Sequence, residues 1–101
     1  MIKHIVMFKL AENANGMNKE ENLKLAVQKA EALIPVIDCM ESMEVVTNSQ
    51  EAAATNYDLA LICTFASMDK LEEYQNHPAH LEFGKFIVSV REARACIDYE
   101  V

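Results

Sequence analysis

The chain has 101 residues, 51% hydrophobic and 25% charged, with nine Lys plus Arg against sixteen Asp plus Glu for a net charge of −7. That length supports one domain over residues 1–101 with a modest core, and the shortage of cations disfavours nucleic acid and anionic membrane surfaces, which both demand positive patches. Cys39, Cys63 and Cys96 are odd in number, far apart and free of any Cys-x-x-Cys pairing, so reduced thiols are expected instead of a disulfide framework or a zinc site. Met1-Ile2-Lys3-His4 alternates instead of running apolar, and no membrane-length apolar stretch follows. A cytoplasmic location is the expectation, and no metal or cofactor is called for.

Ile2 to Leu10 reads as a strand with Ile2, His4, Val6, Phe8 and Leu10 on one side and Lys3, Ile5, Met7 and Lys9 on the other. Asn13 to Gly16 is turn-rich. A helix follows, capped by Asn18 with Glu21 in capping-box position, and its apolar stripe is Leu23, Ala26, Val27, Ala30, Leu33 and Ile34. Pro35 ends it. Ser42 to Thr47 reads as a second strand, and the polar run from Asn48 to Asn56 as a loop. Tyr57 to Ala66 is a strand with neither face polar, hence buried on both sides. Ser67 caps the next helix, whose inner face carries Leu71 and Tyr74. After a His-Pro break, Leu81, Phe83, Phe86, Ile87 and Val90 mark a further amphipathic helix, and Ala95 to Val101 closes the chain as a strand.

The order β-α-β-β-α-β, with the second helix broken, predicts an α+β fold: a ferredoxin-like four-stranded antiparallel sheet with its helices on one face. Ile5, Met7, Ile62 and either Ile97 or Cys96 then form an apolar patch on the other face, larger than soluble monomers normally expose. A second copy of the sheet is the simplest cover, which predicts a homodimer with a barrel-like core between subunits.

The segment Glu-Tyr-Gln-Asn-His-Pro-Ala-His at 73–80 concentrates tyrosine and histidine at one helix break. Proline disfavours helical geometry at His77 and fits the first turn of a new helix, so Tyr74 ends one helix and His80 begins another. With His4 on the strand face that the helices cover, the three side chains can converge on a pocket. Neutral imidazole accepts a proton near pH 7 and a phenol donates a hydrogen bond, a pairing suited to proton transfer on a carbonyl substrate. Each residue also has a plainer reading: His77 as the cap of the next helix, His80 and His4 as paired core histidines, and Tyr74 as core with a bonded hydroxyl.

The opening Ile2-Lys3-His4-Ile5-Val6-Met7-Phe8-Lys9, the strand Tyr57-Asp58-Leu59-Ala60-Leu61, the segment from Tyr74 to His80 and the terminal Asp98-Tyr99-Glu100-Val101 together resemble the stress-responsive A/B barrel (Dabb) family. The resemblance covers nearly the whole chain and implies a dimeric ferredoxin-like α+β barrel. One plant branch of the family, polyketide cyclases, is similar at His4, Tyr74, His77, Pro78, Ala79, His80, Phe83 and Gly84. That similarity implies His80 as base, Tyr74 as its hydrogen-bonding assistant and His4 as the residue that orients substrate, with His77 and Phe83 as further ligand contacts. Ala26, Val27 and Ala30 of the first helix are expected toward the pocket, where those cyclases present aromatic side chains. Some members hold a magnesium ion on main-chain carbonyls at positions resembling Ile34, Ile37 and Met40.

Two functions compete at this point. One is a dimeric module of stress physiology with a pocket for a small apolar carbonyl ligand. The other is a cofactor-independent lyase or cyclase acting on a carbonyl or polyketide-like substrate. Monooxygenases of similar fold are a weaker third class, because the chain has no Trp.

Overall fold

A computed structural model describes residues 1–101. Its main sheet contains β1 (Ile2–Leu10), β4 (Ser42–Thr47), β5 (Leu59–Phe65) and β6 (Arg91–Glu100), antiparallel throughout in the order β4-β5-β1-β6. Helices α1 (Lys19–Glu31), α2 (Met68–Gln75) and α3 (Pro78–Val90) cover one face. This is the expected ferredoxin-like arrangement. A small hairpin of β2 (Asn13–Ala14) and β3 (Met17–Asn18) is added where the sequence shows only a turn-rich patch. Asn15 and Gly16 both take positive φ, 54° and 75°, as a two-residue hairpin turn with right-handed strand twist requires.

Alternation on β1 decides what the core contains. Ile2, His4, Val6, Phe8 and Leu10 are buried under the helices, and Leu59, Leu61, Cys63 and Phe65 of β5 lie beside them. Ala26 and Ala30 bring α1 close to this layer, while Phe83, Ile87 and Val90 supply the inner face of α3. The α1 stripe stops at Leu33: Ile34, expected on it, is 45% exposed, because the helix ends at Glu31 and the chain turns before Pro35. Ile37 fills the space instead. Leu81 likewise points outward, being about half a turn around α3 from its Phe83 and Ile87 side.

Asn18 caps α1 as expected. Its side chain accepts from the Glu21 amide at 2.9 Å while the Glu21 carboxylate accepts from the Asn18 amide at 3.2 Å, closing a capping box. Asn18→Ala is expected to lower stability by about 1 kcal/mol, read as an earlier urea midpoint at unchanged slope. An unchanged midpoint would mean that the box holds nothing against solvent competition. Asn22, which the apolar pattern passes over, is fully buried and donates to the Ala14 carbonyl at 3.0 Å, fastening α1 to the hairpin.

The other face of the sheet has no helix. Register places Ile5 between Ile62 and Ile97, with Met7 beside Ala60 and Ala95. It therefore selects Ile97, 60% exposed, for this patch; Cys96 stands opposite Val6 on the covered side. β6 begins at Arg91, four residues earlier than its apolar pattern shows, because α3 runs straight into it and its first residues lie at a sheet edge that imposes little burial.

Candidate functional site

His4 sits on β1 with Cys63 opposite on β5 and Asp98 opposite on β6, and is 3% exposed. Its Nδ1–H donates to the Asp98 carboxylate. A carboxylate only accepts, so this bond fixes the ring orientation and leaves Nε2 as the unprotonated nitrogen of the neutral ring. Cys96 completes the group with Sγ 3.5 Å from the same Nδ1. His4, Cys96 and Asp98 are the residues whose donor atoms lie close enough together to hold a metal ion, although the His–Asp hydrogen bond already uses two of them.

Tyr74 closes the last turn of α2 and is 1% exposed. Its ring meets His4 edge-on with centroids 6.1 Å apart, Phe65 at 5.1 Å and His80 at 4.4 Å. Burial, reinforced by the neighbouring Cys63 thiol, raises the Tyr74 phenol well above its ordinary range, so it remains a neutral hydrogen-bond donor at physiological pH. Burial pushes the Cys63 thiol itself up to about 12.

The His-Pro break positions the third group. Pro78 opens α3 at a position where a backbone N–H has no partner to lose, and His77 caps the helix, its Nδ1 accepting from the Ala79 amide at 3.1 Å. One turn into α3, the His80 Nδ1–H donates back across the break to the Gln75 carbonyl at 3.2 Å. The carbonyl accepts only, so Nε2 of neutral His80 is free to take a proton. Burial lowers the His80 pKa below its ordinary 6.5, the Gln75 carbonyl opposes this, and the His4, Arg94 and His77 charges add to it. The ring is thus neutral at pH 7, with Nε2 as its proton acceptor.

His4, Tyr74, His80 and Phe83 line one cavity of about 110 Å³ between the sheet and α3, with Val6, Phe8, Leu61 and Ile87 as apolar wall. The structure brings His4, Tyr74 and His80 onto one lining, and Phe83 with them. His77 is not in the lining; its ring is engaged at the helix cap. Nor do Ala26, Val27 and Ala30 reach this cavity, because α1 packs away from the β6 side where it opens. Sequence reasoning misses Arg91 and Arg94, which complete the lining, and Asp98, which holds His4 from 94 residues away. Asp98 carries a signal only as part of the terminal Asp-Tyr-Glu-Val segment; nothing local announces the arginines.

Cys39, Cys63 and Cys96 are free thiols. Cys96 is exposed and Cys63 fully buried, so iodoacetamide at neutral pH is expected to alkylate Cys96 and spare Cys63 in the folded protein. Peptide mass mapping checks this. Equal labelling of the two would show that the core around Cys63 opens readily.

A four-stranded antiparallel sheet with helices on one face, and a small histidine–tyrosine cavity beneath them, defines a ferredoxin-like α+β domain. The chain belongs to the stress responsive A/B barrel domain family, whose model matches residues 2–101. It is 26% identical over 98 residues to olivetolic acid cyclase of Cannabis sativa, covering 97% of this chain and 94% of that one. Among solved structures it is similar to a dimeric ferredoxin-like protein of unknown function from Bacteroides fragilis, with 32% identity, a TM-score of 0.82, and coverage of 99% of this chain and 95% of the other. A dimeric ferredoxin-like protein of unknown function from Thermobifida fusca shares the fold at 21% identity, with a TM-score of 0.82 and coverage of 99% and 90%. No helix is long and apolar enough to cross a membrane.

Proposed function

We propose that the protein is a homodimer in which each subunit binds a small carbonyl compound between sheet and α3 and catalyses proton transfer on it, as in a lyase or cyclase. The observation that carries this reading is the state of His80. Its Nδ1 is tied to the Gln75 carbonyl, its Nε2 is free, and its ring lies against Tyr74 in the same cavity as His4. Similarity to olivetolic acid cyclase over nearly the whole chain favours this reading over a purely structural module.

In the proposed step, His80 Nε2 removes a proton from carbon next to the carbonyl, and the C–H electron pair moves through the carbon–carbon bond onto the carbonyl oxygen. The Tyr74 hydroxyl donates a hydrogen bond to that oxygen as its charge develops, and His4, held by Asp98, orients the substrate. The enolate carbon then either regains a proton or attacks a second carbonyl of the same molecule. In the second case a carbon–carbon bond closes a ring, and protonated His80 returns its proton to the new alkoxide.

The homodimer follows from Ile5, Met7, Ile62 and Ile97 on the uncovered face, with dimeric relatives of the same fold in support. This face is opposite the cavity, so dimerisation leaves the pocket mouth open. Solvent deuterium uptake at carbons flanking a ketone, followed by proton NMR, tests the chemistry. Uptake that the protein accelerates and His80→Ala does not share supports it; the same rate with and without protein overturns it for that ketone class.

A further inference from the structure

Arg91 and Arg94 are the only arginines in the chain, and both line the cavity that holds His4, Tyr74 and His80. Residues three apart on a regular strand face opposite sides. Here the register of β6 against β1 shifts between Lys9 and Leu10, so that Lys9 opposes Ala93 while Leu10 opposes Arg91, leaving Glu92 as the extra residue of a β-bulge. Arg91 therefore stands opposite Leu10 and Arg94 opposite Phe8, two buried residues of the helix-covered face. The bulge is what brings both guanidinium groups to one side.

Neither arginine has an anionic partner. The chain's ion pairs use Lys19, Lys70, Lys85 and His4. Asp98, on the same face of β6, is engaged with His4. In a chain with net charge −7, two unneutralised arginines beside a cavity lined by no carboxylate are a localised exception to the overall field. Arg94 is also close enough for its charge to act on Tyr74 and His80, beyond the burial that dominates both.

We propose that Arg91 and Arg94 bind a carboxylate of the ligand, so that the substrate class is carbonyl compounds that also carry an acid group. The cavity of about 110 Å³ takes only the reacting end of such a molecule, and Arg94 is exposed, so the acid group sits at the rim while the carbonyl reaches His80. A guanidinium fork matches a carboxylate with two parallel hydrogen bonds, which a neutral ester cannot reproduce. The placement of the carbonyl rests on the proton-transfer reading above; the anion site does not.

The test compares 4-oxopentanoate with its methyl ester by ligand-observed NMR titration of the intact protein. The acid is expected to bind about tenfold tighter than the ester, and Arg94→Gln or Arg91→Gln to erase most of that preference. Arg94→Lys should retain part of it, and Lys24→Gln on the far side of α1 should not alter it. Equal affinity for acid and ester, binding of neither, or a preference that survives the double Arg→Gln variant overturns the inference. Deuterium uptake into both compounds separates this outcome from the chemistry. Acid preference without uptake sinks the proton transfer and leaves the anion site, whereas uptake without acid preference does the reverse.

Discussion

His80→Ala is expected to slow deuterium uptake on a true substrate by about 100- to 10,000-fold, the range that a positioned general base supplies. Tyr74→Phe should cost less, because it removes one hydrogen bond to the developing oxyanion and leaves the base in place. The order of the two effects matters more than their size. A Tyr74→Phe loss exceeding that of His80→Ala would assign the main contribution to the phenol. The pH dependence carries a sign. The base works only when neutral, so the rate is at its plateau above the His80 pKa and falls as pH drops through it. Burial depresses that pKa, so the fall is expected below 6.5. A rate that falls on acidification with its midpoint above 6.5 would identify a different group as the base.

Ile62→Glu is expected to convert the dimer into a monomer. Ile62 lies on the uncovered face opposite Ile5 on one side and Glu44 on the other, so the new carboxylate would be buried without a partner and placed beside a like charge. At about 3 kcal/mol for each unpaired buried charge, the two copies raise the dimer dissociation constant roughly 10,000-fold. Sedimentation velocity at micromolar concentration reads the change directly, and circular dichroism checks that the monomer stays folded. A wild-type protein that sediments as a monomer at that concentration would remove the argument altogether.

Strands β1, β4 and β5 are legible in the sequence to within two residues, because each alternates or runs apolar along its length, and both patterns are local. The caps of all three helices are legible for the same reason: Asn18, Ser67 and the His77-Pro78 pair act within a few residues of themselves. β6 is the exception, since Arg91-Glu92-Ala93-Arg94 at an exposed edge needs no apolar code.

The candidate site divides along the same line. Tyr74, His77 and His80 stand out because a proline break groups them within seven residues, and His4 because a histidine on an apolar strand face needs a partner. The identity of that partner, Asp98, depends on the pairing of strands from opposite ends of the chain. The separation of His77 from the cavity depends on which way each ring turns at the break, a choice made by the Ala79 amide and the Gln75 carbonyl. Arg91 and Arg94 are the furthest from view, because a one-residue bulge against Lys9 and Leu10 decides which face each occupies. By itself, then, the sequence determined the element order, the helix starts and the residue types of the chemistry. Only the tertiary structure decided the register, and with it which charges meet at the cavity, because strand pairing between distant segments is set by the packing of the whole sheet and not by any local preference.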